Sequence, residues 1–153
     1  MGKKIEDKKI RKKGRIIVPI DGSTEMEKVI EKALVLAKKI KRDVVAFYVV
    51  DTPRLTEVIP PDETAVVWES LLSTEAHNIL DKIEKDGKKM RVKVIKKIVK
   101  GIPDDEIVKE AKKQDLIIMG CRSKNIFDRL LANNVCEKVR DHSSSSIITY
   151  RII

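Results

Sequence analysis

The stretch 115–140 holds the residues that best suit a chemical role. A short apolar run, Leu116–Met119, is followed by Gly120, a pattern that predicts a buried strand ending in a turn. Farther along, Asn134 stands three residues before Glu137, which is typical of a helix N-terminus. A strand, a glycine turn and a helix N-terminus together can hold a phosphate, because free N–H groups and the helix dipole point at the anion.

A second polar turn follows the first apolar run of the chain. The run Arg15–Ile20 predicts a buried strand, and the sequence Asp21-Gly22-Ser23-Thr24 after it predicts a turn. Thr24 with Glu27 has the spacing of a capping box for the next helix. Asp21 could orient a ribose or a metal-bound water, or it could simply start the turn, and both interpretations stay open.

The remaining elements are predicted from hydrophobic periodicity. A first helix should bury a face that repeats at helical spacing, and a second buried strand should follow at Val44–Val50. Three prolines make the stretch 51–62 a predicted loop. The helix after it should end at Asp86-Gly87. The predicted buried face of the first helix is Met26, Val29, Ile30, Ala33, Leu34, Ala37 and Ile40; that of the second is Leu71, Leu72, Ala76, Ile79, Leu80 and Ile83.

The second half of the chain continues the alternation. The pattern predicts a more solvated strand near a sheet edge at 90–99, a short helix after Gly101-Ile102-Pro103, and a last strand at 147–153. Five strands alternating with four helices indicate one α/β domain, doubly wound, with a parallel sheet and helices on both faces. Ligands in such folds bind beyond the carboxyl ends of the strands. If the first and fourth strands are neighbours, both polar turns line one crevice, but periodicity alone leaves the strand order open.

Charge is unevenly distributed along the 153 residues. The net charge is +9, and residues 1–13, with seven Lys or Arg and two acidic residues, supply +5 of it. We therefore predict a basic flexible tail at 1–13 and a domain at 14–153. The tail could contact nucleic acid, but without aromatic residues for base stacking a solvated tail is favoured. Deleting the tail and measuring the salt dependence of DNA or RNA binding tests this.

Other chemistry finds less support in the sequence. Cys121 and Cys136 lack a CxxC spacing, so reduced thiols in a cytoplasmic protein are expected. Arg122 and Lys124 could activate Cys121, but an inert thiol is favoured. The two histidines, at positions 77 and 142, form no ligand spacing, so no metal site is expected. No apolar run has the length of a membrane span, and no signal peptide is visible.

Several segments together resemble a known family. The sequences IIVPIDGS, FYVVD, VKGIPDDEIVKEA and DLIIMGCRS, in this order, are similar to those of the universal stress protein family, over about residues 15–153. The resemblance implies a five-stranded sheet in the order 3-2-1-4-5, with the first and fourth strands side by side. It also implies homodimers, often through the last strand, and in one subgroup an ATP site.

That subgroup carries Gly-x-x-Gly, nine further residues, and then Gly-Ser or Gly-Thr. The matching positions here keep the spacing but only one of the three glycines: Gly120, Ser123, Asn133 and Asn134. The resemblance implies adenine and ribose contacts from Pro19, Ile20, Asp21 and Val49. It implies phosphate contacts from Met119, Gly120, Ser123, Asn133, Asn134, Val135 and Cys136.

The two missing glycines leave two hypotheses. Asn133 tolerates left-handed backbone angles, but its side chain could occupy the phosphate space, and Ser123 is less suited to positive φ. The first hypothesis is a small cytoplasmic homodimer that binds ATP, with or without magnesium, as a sensor or adaptor. No general base or nucleophile stands out, so an enzyme is not expected, although slow hydrolysis stays open. The alternative is a dimeric interaction module that has lost nucleotide binding.

Overall fold

The fold is organised around one five-stranded parallel sheet. A computed structural model describes residues 13–58, 63–122 and 135–152. Its strands, in chain order, are β1 (Ile16–Ile20), β2 (Val44–Asp51), β3 (Val94–Gly101), β4 (Leu116–Arg122) and β5 (Ser146–Ile152). Its helices within those ranges are α1 (Met26–Ile40), α2 (Thr52–Val58), α3 (Glu63–Lys89), α4 (Pro103–Glu110) and α5 (Val135–His142).

The strand order is β3-β2-β1-β4-β5, so the predicted order is confirmed. β1 lies in the middle, where Ile16 is in register with Val44 of β2 and with Leu116 of β4. All four strand pairs are parallel. The carboxyl ends of β1, β2 and β4 therefore meet at one edge of the sheet, and the order reverses between β1 and β4.

Helices cover both faces of the sheet. The side chains of β1 alternate between the two faces, with Ile16 and Val18 packed against α1 and α3 and Ile17 packed against α4 and α5. Because both faces are covered, β1 and the part of β2 before Asp51 form continuous apolar runs, as expected for central parallel strands. The predicted face of α1 is confirmed, since its members are buried or pack against the buried core.

One residue of the predicted α3 face is misplaced. Ala76, Leu80 and Ile83 are buried as expected, but the side chain of Leu71 is 57% exposed. The buried face begins instead with half-buried Leu72, which precedes Ala76 by one helical turn. Adjacent helical residues point about 100° apart, so Leu71 is turned away from the sheet.

The proline-rich stretch after β2 is not entirely a loop. Residues 52–58 form α2, so the described ranges contain five helices where four were predicted. Pro53 is the second residue of this helix, where a missing N–H leaves no intrahelical hydrogen bond unmade. The N–H of Arg54 donates to Oδ1 of Asp51 at 3.1 Å, so an aspartate caps the first turn.

Two predicted helix ends differ from the structure. The first turn of α1 has no side-chain cap, so the Thr24 capping box is wrong. Gly87 does not end α3, which continues to Lys89. A Cβ at Gly87 would lie 2.5 Å from Cγ2 of Val94, and this close approach to β3 explains the glycine.

Some predictions fall on residues outside the described ranges. Of the predicted tail, only Lys13 is described, and Ser123, Asn133 and Asn134 are not. α5 does begin directly after Asn134, as the Asn-x-x-Glu spacing predicts. Across the described residues, no helix combines the length and the apolar character that crossing a membrane requires.

Candidate functional site

A cavity of about 480 Å³ opens at the carboxyl edge of the sheet. Its walls come from the ends of β1, β2 and β4 and from the first turns of α2, α4 and α5. Eleven residues were predicted for a ligand site, and the eight that the structure describes all line this cavity: Pro19, Ile20, Asp21, Val49, Met119, Gly120, Val135 and Cys136. The sheet thus brings together residues that lie more than a hundred positions apart.

The turn after β1 and the end of β4 approach each other beside this cavity. Oδ2 of Asp21, after β1, lies 3.8 Å from Nη2 of Arg122, at the end of β4. The other oxygen, Oδ1, accepts hydrogen bonds from the N–H of Ser23 at 2.9 Å and from its hydroxyl at 2.7 Å. The carboxylate therefore does start the turn, and Oδ2 also faces the guanidinium at the end of β4. The pair is solvent-exposed and contributes little to stability.

The two glycines near the cavity have different roles. Gly22 has φ +81°, a left-handed angle that favours glycine, and it allows the turn that presents Asp21. Gly120 has no positive φ and lies inside β4, so the predicted turn at this position is wrong. A Cβ on Gly120 would lie 2.7 Å from Cδ1 of Ile152 and 2.8 Å from Sδ of Met26. The glycine is needed for packing against α1 and β5.

The two cysteines form a disulfide, so the expectation of two reduced thiols is wrong. The bond joins Cys121 in β4 to Cys136, the second residue of α5, across a Cα–Cα distance of 6.2 Å. No spacing in the sequence signals this pairing, because the two cysteines lie 15 positions apart and meet only where α5 packs beside β4. Both residues are half-buried, and Cys136 lines the cavity.

Sequence reasoning missed the residues that α2, α3 and α4 bring to the cavity. They include Arg54 in α2, Leu72 in α3 and Pro103 in α4, together with Tyr48 and Asp51 of β2. α2 was missed because the prolines suggested a loop. The rule that ligands bind at the carboxyl ends of strands could have pointed to Tyr48 and Asp51, since β2 neighbours β1.

The ionisable groups in the cavity wall are mixed in sign. Asp21 and Asp51 supply carboxylates and Arg54 supplies a cation. Burial, followed by the negative charges of Glu75 and Asp21, raises the pKa of the Tyr48 phenol, so its hydroxyl stays protonated at neutral pH. Tyr48 can therefore donate a hydrogen bond to a ligand.

Among the described residues, the carboxylates of the cavity belong to no larger ligand cluster. Within the ranges that the structure describes, no group of three or more His, Cys, Asp or Glu side chains is placed to hold a metal. With its apolar walls and few polar groups, the cavity is suited to binding a small molecule.

Comparisons with known proteins agree with this architecture. The family model described as "Universal stress protein family" matches residues 13–151. A universal stress protein of Methanocaldococcus jannaschii is 30% identical over 139 residues, which cover 90% of this chain and 81% of that protein.

Solved structures show the same fold. A structure of the hypothetical protein MJ0577 superimposes with a TM-score of 0.70 at 28% identity, covering 91% of this chain and 96% of that one. UspA from Lactobacillus plantarum superimposes with a TM-score of 0.69 at 25% identity, covering 90% and 97%. From the match over nearly all of its sequence and from its strand order, the chain belongs to the universal stress protein family.

Proposed function

We propose that the chain binds an adenine nucleotide in the cavity at the carboxyl edge of the sheet and acts as a sensor or adaptor. The observation that carries this proposal is the meeting of the Asp21 turn, Val49, the end of β4 and the start of α5 around one cavity. The proposal contains no hydrolytic step. Fast ATP hydrolysis requires a group that orients water at the γ-phosphate, and no general base stands out in the sequence.

The size and lining of the cavity support a nucleotide ligand. Its volume of about 480 Å³ lies in the range of small-molecule sites, roughly 300–1,000 Å³. Val49 and Met119 offer apolar surface for a base, and Asp21 can accept hydrogen bonds from a ribose. The first turn of α5, with Val135 and Cys136, presents backbone N–H groups suited to phosphate oxygens.

Other members of the fold are known with adenine nucleotides. One universal stress protein, with a TM-score of 0.66, is described in complex with cAMP, and one from Archaeoglobus fulgidus, with a TM-score of 0.59, in complex with dAMP. At 18% and 19% identity these structures establish the shared fold for this chain. The nucleotides are properties of those proteins, and they suggest the ligand class for testing here.

The test is ATP binding by calorimetry, with thermal melts in Mg-ATP and in ATP with EDTA. ATP that binds only the folded state must raise the melting temperature. Val135→Glu places a negative charge at the cavity wall and should weaken ATP binding at least about tenfold, since like charges repel. Val35→Glu is the matched control, because Val35 is 41% exposed on α1 and does not line the cavity. No binding by the wild type, or equal affinity in both variants, contradicts the proposal.

A second function is favoured by an exposed apolar surface. The amino-terminal half of α3 exposes Val66, Val67, Trp68 and Leu71 to between 51% and 69%. Such a surface is typical of a protein contact. Together with Ser123 and Asn133 in place of glycines, it supports an interaction module that has lost nucleotide binding. A melting temperature unchanged by millimolar Mg-ATP supports this alternative.

We propose a homodimer through β5, because the two edges of the sheet differ. On edge strand β3, the amino groups of Lys96, Lys97 and Lys100 pair with carboxylates of the neighbouring helices. Lysine-rich edges resist pairing with another strand. Edge strand β5 carries a single charged residue, Arg151, and is the more suitable edge for association.

We propose a cytoplasmic location, the natural site for a sensor of adenine nucleotides. The Cys121–Cys136 disulfide has to be compatible with this location. Disulfides are rare in the cytosol of mesophiles but frequent in the intracellular proteins of hyperthermophiles. Localisation of the tagged full-length chain by cell fractionation tests this part of the proposal.

A further inference from the structure

The Cys121–Cys136 disulfide lies in the wall of the proposed nucleotide cavity. Cys136 lines the cavity directly, and Cys121 follows Gly120, which lines it too. Both cysteines are half-buried, so a small thiol can approach the bond from the cavity. They are the two cysteines of the chain, and any effect of a reductant on the protein can be assigned to this bond.

The element that the bond anchors is short. α5 has eight residues, and Val139 is its fully buried member. Isolated helices shorter than about 12 residues are marginal in water, so α5 depends on its packing against α4 and the sheet. At its first turn these attachments include the partial packing of Val135 and Cys136 and the disulfide to β4. The N–H groups of this turn are the ones that face a phosphate in the proposed function.

We propose that Cys121–Cys136 is a reversible redox site whose reduction loosens the first turn of α5 and weakens nucleotide binding. This coupling rests on the proposed function. The disulfide holds the turn in place before the ligand arrives, so the oxidised protein does not have to order it during binding. Preorganisation of this kind increases affinity by lowering the cost of ordering.

The redox step requires an external dithiol. One thiolate of the dithiol attacks Sγ of Cys136, which is reached from the cavity, and the Cys136–Cys121 bond breaks as a mixed disulfide forms. The Cys121 sulfur leaves as a thiolate and takes up a proton. The second thiolate of the dithiol then attacks the dithiol sulfur of the mixed disulfide. This releases Cys136 as a thiolate, which is protonated in turn. Two electrons and two protons reach the protein, and the dithiol becomes a disulfide.

The first experiment tests the redox site without nucleotide. The purified full-length protein is equilibrated in buffers of increasing dithiothreitol to oxidised dithiothreitol ratio, and free thiols are counted by alkylation and mass spectrometry. We expect a reversible change from zero to two thiols while circular dichroism shows a folded protein. Thiols that appear only as the protein unfolds would identify a permanent structural bond and overturn the proposal.

The second experiment measures ATP affinity in the oxidised and reduced forms by calorimetry. We expect at least about fivefold weaker binding after reduction, at the lower end of typical coupling between sites. The double variant Cys121→Ser/Cys136→Ser should bind like the reduced protein and should not respond to dithiothreitol. Equal affinity in both forms, with the thiol count changed from zero to two, overturns the coupling. Absence of ATP binding in both forms overturns the proposed function and the coupling, whereas the thiol titration still decides the redox site.

Thermodynamic linkage gives a reciprocal measurement. If reduction weakens ATP binding by a given factor, saturating ATP must raise the dithiol to disulfide ratio needed for half-reduction by the same factor. The thiol titration repeated with ATP should therefore shift by the factor found in calorimetry. A titration curve that ATP leaves unmoved contradicts the coupling.

Discussion

Asp115 accepts two hydrogen bonds from Arg15, one from its backbone N–H to Oδ1 at 2.7 Å and one from its guanidinium to Oδ2 at 2.9 Å. Arg15 precedes β1 and Asp115 precedes β4, so the contact joins the amino ends of the two strands whose carboxyl ends frame the cavity. The Asp115 carboxylate is buried, and Oδ2 also accepts the N–H of Lys112 at 2.8 Å. A buried carboxylate with these three donors aligns the adjacent strands.

We expect Asp115→Asn to destabilise the fold by about 2–3 kcal/mol, because the neutral amide loses charge-assisted hydrogen bonds and leaves Arg15 without its buried partner. Urea unfolding at pH 7 measures this. The control is Asp141→Asn, at an exposed position on α5, which should change the free energy of unfolding by less than about 0.5 kcal/mol. Similar effects for both variants would show that the Arg15–Asp115 contact has no special role.

The same contact predicts a dependence on pH. Burial alone would raise the pKa of Asp115, but the hydrogen bonds from Arg15 and Lys112 outweigh it and hold the pKa below its usual value. A carboxyl with a lowered folded-state pKa stabilises the protein above its unfolded pKa of about 3.9, and this stabilisation is lost as pH falls through the folded value. The difference between wild type and Asp115→Asn should therefore be full at pH 7 and smaller at pH 3. A constant difference would contradict this assignment.

Gly120→Ala should destabilise the fold by about 1–3 kcal/mol, because the new Cβ overlaps Cδ1 of Ile152 and Sδ of Met26. Ile152→Val removes that Cδ1, so Gly120→Ala should cost less in the Ile152→Val background. Urea unfolding of the four proteins forms a double-mutant cycle. Additive effects would show that the two side chains do not meet.

The disulfide should stabilise the fold as well as shape the cavity. A bond between residues 15 positions apart limits the unfolded chain and contributes about 3 kcal/mol. The double variant Cys121→Ser/Cys136→Ser should be less stable than the oxidised wild type by about this amount in urea unfolding. The reduced wild type, unfolded in dithiothreitol, should match the variant. Equal stability of variant and oxidised protein would mean that the bond does not stabilise the fold.

Thr149→Glu should weaken a β5 dimer at least about tenfold. The residue is exposed on β5, and a two-fold axis would bring two copies of the new charge together. Lys93→Glu, an exposed charge change next to β3 at the opposite edge, is the control and should leave association unchanged. Sedimentation equilibrium over a concentration series measures both. If Thr149→Glu leaves association unchanged, the dimer interface lies on another surface.

Much of the fold could be predicted from the sequence, because hydrophobic periodicity is a local property. The apolar runs of β1 and β2 and the buried face of α1 appear in the structure as expected. The local predictions that failed depended on contacts made elsewhere. Gly87 and Gly120 suggested turns, but both are glycine because β3, and α1 with β5, approach them closely.

For the candidate site too, some features could be predicted from the sequence and others could not. The types of its residues, an aspartate after β1 and apolar residues before Gly120, were visible in the sequence, and the family resemblance supplied the strand order that periodicity left open. Which of these residues are neighbours depends on the tertiary fold. The pairing of Cys121 with Cys136, the 3.8 Å approach of Arg122 to Asp21 and the addition of Arg54 to the cavity wall depend on how sheet and helices pack. Local sequence determines which face of each element is apolar, whereas distances between segments far apart in the chain are set by packing around the shared core.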